Sequence, residues 1–103
     1  MFGLVGSLRA TEGRGDELER HLLEAAIQLE EVSTCHLYLV SRLPTDPDVL
    51  HVVEVWDDED AHRASLQLEP VQQLISRARP IIAGMGDRVE TRPVGGKGLR
   101  PMA

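Results

Sequence analysis

The stretch from Leu50 to His62, LHVVEVWDDEDAH, limits the possible folds more than any other part of this chain. Val52, Val53 and Val55 suit a pleated, buried surface, and the run ends on the only tryptophan, Trp56. Asp57 can then cap a helix whose first turn holds Asp58, Glu59 and Asp60, where negative charge meets the positive end of the helix dipole. A strand thus hands its end directly to a helix, and the largest aromatic sits where a small-molecule pocket readily forms. The strand itself, read as Val49 to Trp56, puts Leu50, Val52, Glu54 and Trp56 on one face and Val49, His51, Val53 and Val55 on the other. Both faces are mostly apolar. An antiparallel sheet with helices on one side normally shows a polar second face, so a further layer is expected here, with a second copy of the same sheet as the candidate.

The remaining elements fall in place around that strand. Phe2 to Ala10 alternates with period two and reads as a first strand, and Thr11 to Gly15 as a turn. Asp16 with Glu19 three residues later resembles a capping box, so the first helix is expected to start near Asp16. Leu18, Leu22, Ala25, Leu29 and Val32 form its apolar stripe, while Glu17, Arg20, Glu24, Gln28 and Glu31 face water, with His21 beside that charged side. Cys35 to Leu43 is a second strand, and Pro44 to Asp48 the turn of a hairpin. After Trp56 the pattern predicts a helix from about Asp58 to Leu68, and then one opened by Glu69-Pro70 with Val71, Leu74, Ile75 and Ala78 on a stripe. Pro80 ends it, Ile81 to Gly86 reads as a connection, and Asp87 to Val94 as a fourth strand. Strand, helix, strand, strand, helix, strand is the split βαβ order, an α+β ferredoxin-like sheet of four antiparallel strands with both helical regions on one face.

Composition bounds the function. The 103 residues make one domain, expected over residues 1–94, followed by a Gly-rich tail at 95–103. No run approaches the roughly 18 apolar residues of a membrane span, and the N-terminus does not read as a signal peptide, so a cytoplasmic protein without a membrane partner is expected. A single cysteine, Cys35, leaves no internal disulfide or cysteine-rich metal site. The net charge of −6, with eleven basic residues scattered along the chain, argues against a nucleic-acid partner.

Few residues can carry chemistry. Trp56 offers a stacking wall and an indole N–H, although large aromatics at strand ends commonly serve as core. His62, one turn into the helix, can exchange a proton near neutral pH, although a helix histidine facing water is the simpler reading. Glu54 sits in a valine run and must find a partner there, either a ligand or a cross-strand arginine such as Arg42 or Arg88. Arg79 can stabilise an anion, and Tyr38 and His51 are secondary candidates because strand position alone does not say which face lines a pocket. His36, His51 and His62 share no metal-ligand spacing, so no metal is expected.

Glu54-Val55-Trp56 followed by Asp57-Asp58-Glu59-Asp60-Ala61-His62 resembles the antibiotic biosynthesis monooxygenase family, as do the helix Glu17 to Ala26, the strand start Cys35-His-Leu-Tyr38 and the end Arg92-Pro-Val-Gly95. The resemblance runs from about Leu4 to Gly98. It implies a homodimeric α+β barrel, two sheets face to face, with a pocket in each subunit between sheet and helices. It also implies oxidation of a small aromatic, anthrone- or quinol-like, by dioxygen with no cofactor. In that reading Trp56, His62 and Tyr38 are the catalytic candidates, and Trp56, His51, Glu54 and Arg79 bind substrate. A non-catalytic dimer that holds a hydrophobic small molecule is the alternative, and a lyase or isomerase on the same fold a weaker third. Ser65 and Leu66 stand where family members often carry a further histidine, and the chain has no asparagine, which disfavours the haem degradation of some relatives.

Overall fold

A computed structural model of the chain describes residues 1–99. The elements are β1 (Phe2–Ala10), α1 (Gly15–Leu29), β2 (Cys35–Leu43), β3 (Asp46–Trp56), α2 (Glu59–Ser65), α3 (Glu69–Ala78), a short 3-10 turn (Arg79–Ile81) and β4 (Ile82–Thr91). The strands form one antiparallel sheet in the order β2-β3-β1-β4, so the expected ferredoxin-like α+β fold is the one observed. No helix among the described residues is long and apolar enough to cross a membrane. Of the Gly-rich segment expected at 95–103, residues 100–103 lie outside the described residues.

Two apolar clusters hold the helices on the sheet. One joins Ala10, Leu18, Leu50, Ala78 and Ile81, and the other joins Leu29, Trp56 and Val71 with Phe2, Val32 and Tyr38 packed against it. Both α1 and α3 thus bury their stripes on the face of β3 that carries Leu50, Val52, Glu54 and Trp56. The opposite face is open. A row of four side chains, Leu39, Val53, Val5 and Val89, crosses all the strands in register, with Leu39 and Val89 about half exposed.

Several boundaries differ from the sequence expectation, each for a physical reason. Strand β3 starts at Asp46, and the hairpin narrows to Pro44-Thr45, because Pro47 occupies an irregular strand start where its missing N–H costs no ladder bond. Strand β4 begins at Ile82, not Asp87: the stretch expected as a connection pairs with β1 through a bulge in which Gly86 and Asp87 oppose Ser7. A Cβ at Gly86 would collide with Ser7 Oγ, so a larger residue there would force the Ser7 hydroxyl to turn away. No capping box forms at Asp16. The start of α1 is capped from β3, where the Asp48 carboxylate accepts from the Gly13 and Gly15 N–H groups at 3.1 Å each. Gly15 is required there, because a Cβ would collide with the Pro47 carbonyl. Asp16 turns outward to Arg42 at 2.6 Å, which removes Arg42 as a partner for Glu54. Helix α2 ends at Ser65 and is capped by Asp58, whose side chain accepts from the Ala61 N–H at 2.7 Å. Asp57, expected as that cap, instead pairs with His36 Nε2 at 2.5 Å.

Candidate functional site

The alternation of β3 decides what faces the helices. Glu54 and Trp56 are two residues apart on one strand face, so their side chains lie side by side, and the Trp56 Nε1–H donates to Glu54 Oε1 at 3.1 Å. The cap of α2 fixes the first turn of that helix over the end of β3, which brings His62 Nε2 to 3.8 Å from the same Glu54 oxygen. Trp56 is 1% exposed and packs edge-on against the His62 ring, with centroids 5.6 Å apart, while the Phe2 ring lies tilted to the imidazole at 5.8 Å. The two side chains expected to matter most therefore meet at one place, with Glu54 as the link. His62 is not the water-facing helix residue of the simpler reading, because its side chain is only 13% exposed.

These three residues stand in the wall of a cavity of about 480 Å³ between the sheet and the helices. Leu22, Ala25, Leu29, Val71 and Leu74 make its sides apolar. A smaller space of about 250 Å³ shares Tyr38, Glu54, His62 and Met85 with it and runs on past the β4 bulge to Arg88. The volume and the lining suit a small, largely apolar ligand.

Electrostatics in the cavity favour neutral groups. Burial raises the Glu54 pKa above that of an ordinary carboxylate, against the smaller opposing effects of the Trp56 hydrogen bond and the Arg88 charge. Burial lowers the His62 pKa, and Arg88 adds to the effect. Tyr38 sits directly across from Glu54 in the β2–β3 ladder, and burial together with the Glu54 charge pushes its hydroxyl upward, so it stays a protonated donor. The Cys35 thiol is raised in the same way, first by burial and then by Glu54.

Of the six residues expected at the site, five line this cavity: Trp56, Glu54, His62, Tyr38 and Arg79. His51 does not. It pairs with Ser7 and Ser41 on the open face of the sheet and is exposed. Arg79 lines the cavity but belongs to the turn after α3, among residues of the Leu50 cluster, while Glu54 lies toward the Trp56 cluster. Sequence reasoning missed His21, which it left beside the charged side of α1. The residue is 9% exposed and lines the cavity. Its place at i+3 from Leu18 and i−4 from Ala25 was the available signal, because that spacing puts it on the apolar stripe. Among the described residues, no group of three His, Cys, Asp or Glu side chains is placed to hold a metal ion.

Comparison with known proteins agrees with this architecture. The model of the family described as antibiotic biosynthesis monooxygenase matches residues 1–77. A crystal structure from Chloroflexus aurantiacus J-10-fl, given the provisional name antibiotic biosynthesis monooxygenase, is 42% identical, with a TM-score of 0.89 over 96% of this chain and 98% of that one. Structures from Deinococcus radiodurans and Caulobacter crescentus CB15 with the same provisional name share the fold at TM-scores of 0.77 and 0.82. The first is 24% identical over 100% of both chains, and the second 21% identical over 91% of this chain and 90% of that one. No curated protein matches the chain. With the family model covering most of the sequence and a 42% identical relative spanning nearly all of it, the chain belongs to the antibiotic biosynthesis monooxygenase family.

Proposed function

We propose that this protein is a monooxygenase that oxidises a small aromatic, quinol- or anthrone-like, with dioxygen and without a cofactor. Family membership supports the monooxygenase-like role in general. The observation that supports the specific reading is Glu54, a desolvated carboxylate held by Trp56 Nε1 and facing an apolar cavity beside His62. A raised pKa brings Glu54 closer to the working pH and makes its ionised form a stronger base.

For an anthrone-like CH₂ the steps balance without an external electron donor. Glu54 takes a proton from carbon, and the resulting carbanion, stabilised as an enolate, reduces dioxygen and forms a C–O bond. Protonation gives a hydroperoxide. Loss of the second C–H proton as the O–O bond breaks leaves a carbonyl and one water, so one oxygen atom enters the product. The phenol of Tyr38 donates to the developing oxyanion, and the neutral imidazole of His62 accepts and returns protons. The apolar walls keep water from the carbanion.

The protein acts as a homodimer in this reading, with the Leu39–Val53–Val5–Val89 row of each sheet buried against its partner. Oxygen consumption with a panel of anthrones and hydroquinones, using protein shown to be free of metal and flavin, tests the activity. Protein-dependent uptake that falls in Trp56→Phe and His62→Ala, both still folded, is the expected result. Binding of the same compounds without any uptake would make the protein a carrier of hydrophobic small molecules instead.

A further inference from the structure

His21 is 9% exposed and lines the cavity. Its Nδ1 is buried and has no hydrogen-bond partner. Its Nε2 makes no hydrogen bond among the described residues either: the nearest carboxylate oxygen, Glu17 Oε1, is 4.0 Å away, and Glu17 is already engaged by Arg14 Nε at 2.6 Å. The cavity wall thus carries an imidazole with no hydrogen-bond partner, and one ring nitrogen of an imidazole is always a donor. Arg79, in the wall of the same cavity, makes no ion pair among the described residues.

Two independent rulers place this donor pair away from Glu54. Leu50, the cluster residue on the same β3 face, is four residues from Glu54, about 13 Å along the strand. His21 is eight residues from Leu29, which packs with Trp56, or about 12 Å along α1. The cavity is therefore apolar along its length and polar at both ends. One end, at Glu54, accepts a proton. The other offers the unpartnered His21 imidazole and the Arg79 guanidinium, both able to donate, and Arg79 is exposed, so an anion there stays partly hydrated and avoids most of the cost of burial.

We propose that His21 and Arg79 form a second polar terminus that binds a carboxylate at the far end of an elongated aromatic ligand, and so set the specificity of the site. Resting on the reading of the cavity given above, this selects ligands with an acidic hydroxyl or C–H at one end of a fused-ring body and a carboxylate at the other.

Fluorescence titration with 6-hydroxy-2-naphthoate and 2-naphthol separates the two ends, since the probes share the ring and hydroxyl and differ only in the carboxylate. In the wild type the acid binds about tenfold more tightly than the naphthol, as expected of hydrogen bonds to a charged group. That preference shrinks in Arg79→Gln and in His21→Phe, which keeps the ring volume without the donor. It is largely retained in His21→Gln, whose side-chain amide restores an N–H donor. The affinity for 2-naphthol changes less than that for the acid in each variant, and an unchanged far-ultraviolet circular dichroism spectrum reports that the three variants are folded. Equal affinity for both probes in the wild type, or a preference that survives both His21→Phe and Arg79→Gln, overturns the second terminus and leaves the Glu54 site standing. If neither probe binds the wild type, the cavity reading and this inference fall together.

Discussion

The two faces of the sheet are built from the same strands and carry opposite designs. On the covered face Leu50 and Trp56 are almost fully buried, yet the same face holds Glu54 and, across from it, Tyr38. On the open face the central row is wholly apolar and yet partly exposed. The covered face holds its carboxylate because Trp56 Nε1–H donates to Glu54, and it holds His62 packed against the rings of Trp56 and Phe2. An open face of Leu and Val has no such use for water and is suited to a second apolar surface. Period-two alternation alone divides the face with ionisable groups from the wholly apolar row, and Glu54 beside Val53 and Val55 marks the division.

The largest expected effect is on the covered face. Trp56→Ala removes a side chain that is both a core anchor and the donor to Glu54, and should cost about 3–5 kcal/mol of stability in chemical denaturation. A loss below about 1 kcal/mol would show that the covered face is not the core. Next, Leu39→Arg on the open face should weaken self-association by about 3 kcal/mol, because a symmetric interface brings the two like charges together, while the far-ultraviolet circular dichroism of the chain stays unchanged. Sedimentation equilibrium reads this directly, and an unaltered dimer would move the interface elsewhere.

Much of this contrast was legible in the sequence. The faces of β3 and the stripe of α1 follow from apolar residues recurring at 2 or 3.6, and the start of α3 from a proline in its first turn. The start of β4 was hidden because Ala83, Gly84 and Gly86 carry no apolar alternation, and the bulge at Gly86 shifts the register of the residues after it. The cap of α1 was hidden because its acceptor, Asp48, is supplied from another element. Glu54 was conspicuous in its valine run, and Trp56 and His62 were named, but their meeting at one carboxylate oxygen depends on where α2 docks. His21 was misplaced because its neighbours Glu17, Arg20 and Glu24 suggested the wet side, whereas the resting angle of α1 on the sheet puts it inside.

A smaller effect tests how the covered face is held in shape. Asp58→Ala removes the cap of α2 and should cost about 1 kcal/mol. Because α2 carries His62, the same change should also lower turnover, and a stability loss with an unchanged rate would detach the helix from the chemistry.

The subtlest expected effect is one of sign. Since burial raises the Glu54 pKa, the folded protein holds that proton more tightly than the unfolded chain does. Stability contributed by this group is therefore lost as pH rises from the ordinary carboxylate value of 4.5 through the folded pKa. Glu54→Gln should match the wild type at pH 4 and be more stable than it at pH 7, as read by thermal melts at the two pH values. Equal stabilities at both would mean that Glu54 is hydrated in the folded state.

The role of Glu54 is tested most directly by single-turnover oxidation of an anthrone in Glu54→Gln, a change that keeps an oxygen to accept from Trp56 Nε1 but cannot take a proton. The rate of the chemical step should fall by about 100-fold or more, the contribution of a positioned base, with ligand affinity nearly unchanged. A variant that oxidises the anthrone as fast as the wild type would contradict a proton-abstracting Glu54.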